Sequence, residues 1–227
     1  MYLCRLLDTL SAKYVPIEML GIDLNGLYDP SGERIDVLYR AFPLQFIRNK
    51  IFRRQNACVD AEMEGLLLRL VELRRLAVIN PPFAFLLESK ALQAVIWNLF
   101  ESGHYFSHDE RGFIAKYMLP TRLDAPESGA YVIKPIYGAE GDTVAIVNPR
   151  IGSISQSACT THAEQSMVFQ KYIQLPTHKI MTEYGPKWLH VVTSCFLVSG
   201  RPAGICMRAG EAITDESAWV MPVCIAG

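Results

Sequence analysis

Apolar residues recur along the first third of the chain at helical spacing. Leu3, Leu6, Leu7 and Leu10 share one face before Val15-Pro16 and predict an amphipathic opening helix. The run Asn25-Gly26-Leu27-Tyr28-Asp29-Pro30-Ser31-Gly32 is dense in turn formers and predicts a hairpin, with a strand over residues 35–39 ending at Arg40. Over residues 61–78, Met63, Leu66, Leu67, Leu70, Leu73 and Leu76 alternate with Glu and Arg. That spacing predicts a long amphipathic helix stopped by Asn80-Pro81-Pro82. Ser89 is a suitable N-cap for a further helix to about Phe100, with Gly103 as its stop. The pattern then changes to short β-branched runs at residues 131–133, 143–147, 167–173, 189–198 and 203–208, the last two joined by Ser199-Gly200-Arg201-Pro202. The predicted class is α/β (α+β): a helical and mixed part over residues 1–125, then a largely antiparallel sheet over 126–227. The boundary falls in the polar connection between Pro120 and Gly129.

Composition narrows the classes. The chain has 227 residues, half of them hydrophobic and a fifth charged, which excludes disorder and allows one large domain or two small ones. A net charge of −1 argues against a bulk nucleic-acid partner, and Arg48, Lys50, Arg53 and Arg54 read as a solvated helix face. No apolar stretch approaches the roughly 20 residues of a membrane span, and Asp8 in a short apolar start argues against a signal peptide. Six cysteines without a C-x-x-C pair predict free, mostly buried thiols in a reducing compartment, hence a cytoplasmic protein. No metal site is predicted: His104 and His108 read as a loop pair, and Asp60, Glu62 and Glu64 as acids favoured by a helix dipole.

Residues 131–147 hold the most suggestive chemistry. Two strand-like runs flank a turn containing Gly138, Glu140 and Gly141, and Lys134 stands where the first run meets the turn. Glycine loops let backbone N–H groups approach an anion, and an ammonium neutralises it, so the stretch reads either as a phosphate clamp or as a hairpin with a surface lysine. Lys90 falls in the first turn of its predicted helix, where the dipole disfavours a cation. The segment Gln170-Lys171-Tyr172-Ile173 ends a strand and offers backbone groups suited to an adenine edge. Arg208, beside Ala209-Gly210, suits a clamp on a transferring phosphoryl group, or else closes a hairpin.

Four stretches, in order, resemble the glutathionylspermidine synthase family of ATP-grasp acid–amine ligases. They are Gly26 to Gly32 with Val37-Leu38-Tyr39-Arg40; Ser89-Lys90-Ala91-Leu92 with Trp97; Tyr131-Val132-Ile133-Lys134-Pro135 with Gly138-Ala139-Glu140-Gly141; and Ala203 to Arg208 with Ile213-Thr214-Asp215 and Val220-Met221-Pro222. The resemblance implies an ATP-grasp-like fold in which Lys90 and Lys134 contact ATP phosphates under a loop of Gly138, Glu140 and Gly141. It implies that Gln170, Lys171 and Ile173 bind the adenine edge, that Ile213 packs on the ring, and that Arg208 stabilises the transferring phosphate. The implied partners are ATP, a carboxylate substrate and an amine substrate, joined through an acyl phosphate with release of ADP and phosphate. The family's Arg-x-Asp and Glu-x-Asn segments, for the acid substrate and for Mg2+, are expected N-terminal to these stretches, and no Glu-x-Asn occurs in the chain. The expectation is therefore a C-terminal portion whose missing part precedes it or lies on another chain, itself weakly active or inactive. The alternative is a shortened, non-catalytic nucleotide-binding or structural module.

Overall fold

A computed structural model of the chain describes residues 12–40, 63–81 and 84–224. They belong to two compact units, Met1–Glu88 and Ser89–Gly227. The leucines at 3, 6, 7 and 10, the basic run at 48–54 and the acids Asp60 and Glu62 lie outside the described residues.

Turn chemistry shapes the start of the first unit. Asp23 Oδ1 accepts from the N–H groups of Asn25 and Gly26 at 2.7 and 2.9 Å, and β1 (Gly21–Ile22) pairs antiparallel with β2 (Leu27–Tyr28). Asp29 Oδ1 accepts from the Ser31 hydroxyl at 2.6 Å and from the N–H groups of Ser31 and Glu33, both at 2.9 Å. That reversal delivers the chain into β3 (Arg34–Ile35), which pairs with β2. The expected strand over 35–39 is divided at Asp36. Its second half, β4 (Val37–Tyr39), pairs in parallel with β5 (Ala77–Ile79).

The helix expected over 61–78 is shorter than its periodicity suggests. As described, α1 spans Met63–Glu72. Arg74 adopts φ 56°, its N–H donates to Val71 at 3.0 Å, and the Arg75 N–H reaches back to Leu70 at 2.8 Å. This is a Schellman stop with arginine where glycine is usual. Leu76 keeps its apolar role by burying with Leu20, Leu27, Leu67 and Leu70 in the core of this unit, but it stands beyond the end of the helix, one residue before β5 (Ala77–Ile79). The short α2 (Phe85–Glu88) follows. Arg40 is only 3 % exposed and pairs with Glu88 at 3.2 Å, while its carbonyl accepts from Asn80 Nδ2 at 2.7 Å.

In the second unit, α3 (Lys90–Ser102) starts after Ser89 without a side-chain cap and stops at Gly103, φ 82°. The hydrophobic pattern did not predict α4 (His108–Tyr117). Its Ser107 and Glu110 form a reciprocal capping box, whose Ser-x-x-Glu signature is present in the sequence. Five antiparallel strands follow: β6 (Thr121–Arg122), β7 (Tyr131–Pro135), β8 (Ala145–Asn148), β9 (Gly152–Gln156) and β10 (Met167–Lys171). Their order is β6-β10-β7-β8-β9, so the connection between Pro120 and Gly129 lies within this unit and contains a strand. A second antiparallel sheet takes β11 (Thr177–Thr182), β12 (Gly185–Val198), β13 (Arg201–Gly210) and β14 (Trp219–Met221) in sequence order. Ser199 and Gly200, both with positive φ, make the tight turn between β12 and β13.

The architecture is α+β with mostly antiparallel sheets. Among the described residues, no helix is long and apolar enough to cross a membrane. The four described cysteines are free, but Cys159, Cys195 and Cys224 are exposed rather than buried as expected. Cys195 lies on the outer part of the β12–β13 hairpin, where side chains on both faces meet solvent.

Candidate functional site

The five-stranded sheet gathers the candidate residues by simple alternation. Val132 faces Gln170 across one ladder and Ile146 across the other. Lys134, two residues beyond Val132, emerges on the same face. From α3, Lys90 in the first turn and Gln93 one turn later reach that face, and both hydrogen-bond into it. The result is a cleft of about 310 Å³, with Leu119, Val132, Val144, Ile146, Ile173 and Ile213 among its apolar walls. Lys90, Lys134, Gly138, Glu140, Gly141, Gln170, Lys171, Ile173 and Ile213 all line it. Arg208 does not; it sits half-buried in β13, between Val192 and Val220 of the adjacent strands.

Electrostatics distinguish the two lysines. The Lys90 ammonium donates to the Gly138 carbonyl at 2.8 Å, and the Lys134 ammonium donates to Gln170 Oε1 at 2.7 Å. Among the described residues, neither makes an ion pair with a carboxylate. Burial holds both below the usual lysine range, and the charge of Lys90 pushes Lys134 down further. Two partly desolvated cations answered only by neutral oxygens leave room for an anion, whose charge would compensate both.

The loop between β7 and β8 is held in unusual backbone conformations. Glu140, Gly141 and Thr143 have φ of 54°, 73° and 60°. A β-branched residue in that region is costly, of order 1–3 kcal/mol, unless its surroundings enforce it. Here the Thr143 N–H donates to Cys159 at 2.8 Å, its hydroxyl donates to Asp142 at 2.7 Å, and its oxygen accepts from the His162 N–H at 3.0 Å. The expected strand from Thr143 therefore begins only at Ala145. The other end of the loop is tied to the same turn, because Gln165 accepts from the Tyr137 N–H at 3.0 Å and its amide nitrogen faces His162 Nδ1 at 3.1 Å. Burial opposes the charge on Asp142, yet hydrogen bonds from Thr161, Thr143 and Cys159 outweigh it and hold the carboxyl below its usual range. Sequence reasoning missed Asp142, His162 and Gln165, which are isolated polar residues outside any motif.

At the far end of the cleft, the Lys171 N–H donates to Pro120 at 2.8 Å and the Tyr172 N–H to Ala130 at 3.0 Å. Proline has no N–H to return, so the Lys171 carbonyl lacks the second bond of that antiparallel pair. Two residues on, the Ile173 N–H has no hydrogen-bond partner among the described residues. One acceptor and one donor thus stand at this strand end, beside apolar walls.

A sheet face, an over-determined glycine loop and paired lysines meet on one cleft of this α+β fold. The sequence profile of the glutathionylspermidine synthase preATP-grasp family matches residues 8–226, and the chain belongs to that family.

Proposed function

We propose that this chain supplies the ATP-binding cleft of an ATP-dependent acid–amine ligase. The observation that carries the reading is the Lys90–Lys134 pair, desolvated in one cleft without a carboxylate partner. In this reading the two ammonium groups take the phosphates and the loop of Gly138, Glu140 and Gly141 covers them. The Lys171 carbonyl and Ile173 N–H read the adenine edge, with Gln170 beneath and Ile213 packing on the ring.

The chemistry proposed is attack of a substrate carboxylate oxygen on the γ-phosphorus, breaking its bond to ADP and forming an acyl phosphate. An amine then attacks the acyl carbon, phosphate leaves with the C–O electron pair, and the amine gives up a proton as the amide forms. Such transfer depends on positioning and charge stabilisation rather than covalent help. Among the described residues, no group of three or more His, Cys, Asp or Glu side chains is placed to hold a metal ion. Among the described residues lining the cleft, the positive charge offered to the phosphates is that of the lysines. Arg208 lies outside the cleft lining. That placement favours, as a second reading, a nucleotide-binding module without catalysis of its own.

Calorimetric titration of the full chain with ATP, alongside Lys134→Ala, tests the reading. Wild type binds and the variant loses about tenfold or more in affinity, the worth of one charge-assisted hydrogen bond. Equal binding by the two proteins, or none by wild type, overturns the assignment.

A further inference from the structure

Gln170 is an amide, and an amide can turn over. With its oxygen toward Lys134 it stabilises an ammonium; with its NH2 group there it would oppose one. Three contacts decide the orientation. Gln170 Oε1 accepts from Lys134 Nζ at 2.7 Å. Gln170 Nε2 donates to Thr121 Oγ1 at 3.0 Å and to Gln93 Oε1 at 3.1 Å. Thr121 is 1 % exposed, and its hydroxyl proton is already committed to the Leu119 carbonyl at 3.0 Å. A carbonyl accepts only, so the Thr121 oxygen is left as an acceptor and the Gln170 NH2 must face it. Thr121 also lies directly opposite Gln170 in the β6–β10 ladder, which removes the freedom to slide away.

We infer that Thr121 is a positioning residue: its hydroxyl, assisted by Gln93, locks the Gln170 amide with its oxygen on Lys134, keeping that lysine charged and aimed into the cleft. The functional consequence rests on the phosphate-contact reading of Lys134; the lock itself does not. The lock has a clear purpose beside Lys90, since a buried cation next to another readily discharges. The other charged groups lining the cleft are Glu140 and Asp142 on the loop and Lys171 on β10.

Two readouts on the full chain separate the lock from the nucleotide reading. The first is the titration of Lys134 in the free protein, followed by 15N-lysine NMR and assigned with Lys134→Arg. Thr121→Val moves the Lys134 midpoint to lower pH, Thr121→Ser restores it, and Gln93→Leu, at an exposed position, moves it the same way by less. In a Gln170→Leu background, Thr121→Val has no further effect. The second readout is ATP affinity. At pH 8.5 Thr121→Val binds about tenfold more weakly than wild type, narrowing to about twofold at pH 6.5, with Thr121→Ser within about twofold at both. Unchanged Lys134 titration in Thr121→Val, or in Gln93→Leu should the valine variant not fold, overturns the inference. So does an effect of Thr121→Val that persists without Gln170. If Lys134 responds as expected while wild type binds no ATP, the lock stands and the nucleotide reading falls.

Discussion

Lys90 holds the Gly138 carbonyl through its ammonium at 2.8 Å while its backbone N–H holds the Ile136 carbonyl at 2.9 Å. One residue at the start of α3 therefore grips the glycine loop at two points. Lys90→Ala removes a charge and one of those grips; Lys134→Ala removes a charge and the bond to Gln170 but no grip on the loop. Both variants should lose about tenfold or more in ATP affinity. Amide hydrogen exchange over residues 138–143 should accelerate in Lys90→Ala alone. Equal protection in the two variants would show that Lys90 does not hold the loop.

Folding and anion binding should respond to pH with opposite signs. Lys90 and Lys134 are lowered in the folded protein from the ordinary 10.5. Between the lowered values and 10.5 the unfolded chain carries more protons, so these groups make the free protein more stable as pH rises. Over the same window the cleft loses positive charge and its affinity for a polyanion falls. Urea denaturation and ATP titration from pH 7 to 10, each compared with a Lys90→Met, Lys134→Met double variant, read the two trends. The prediction fails if wild type and double variant run parallel in either series.

Gly141 and Gly129 both have positive φ but differ in surroundings. A Cβ on Gly141 would lie 2.9 Å from Ile213 Cγ2 and 3.0 Å from the Thr214 carbonyl oxygen, whereas one on Gly129 meets nothing within 4 Å. Gly129→Ala should cost about 1 kcal/mol, the left-handed penalty. Gly141→Ala should cost about 3 kcal/mol once the clash is added. Denaturation midpoints of the two variants measure the difference.

Arg40 is buried against Glu88 at 3.2 Å. Arg40→Ala should destabilise the first unit by about 3–5 kcal/mol, because Glu88 is left as an uncompensated charge. Adding Glu88→Leu should recover much of that loss in the same urea experiment.

The sequence disclosed the cleft better than the backbone around it. Lys90 stood out as a cation where a helix dipole disfavours one, and Lys134 as a cation entering a glycine loop; both anomalies lead to the cleft. Leu76 misled because a buried apolar residue at helical spacing need not be in the helix, and the left-handed Arg74 ends the helix before it. Gln93, Thr121 and His162 were not legible. The first two meet a partner distant along the chain, 77 residues from Gln93 to Gln170 and 49 from Thr121 to Gln170, and His162 is an isolated polar residue outside any motif. The Ser107-x-x-Glu110 signature of α4 was legible, and the low apolar content of that helix hid it.

The most direct measurement of the central claim is a backbone amide NMR titration of the full chain with ATP. Shifts should be confined to the cleft: residues 138–143, Lys171 to Ile173, Ala212 to Thr214, and the start of α3. Absence of shifts at saturating ATP, or shifts centred elsewhere, for example on α4, would contradict that claim.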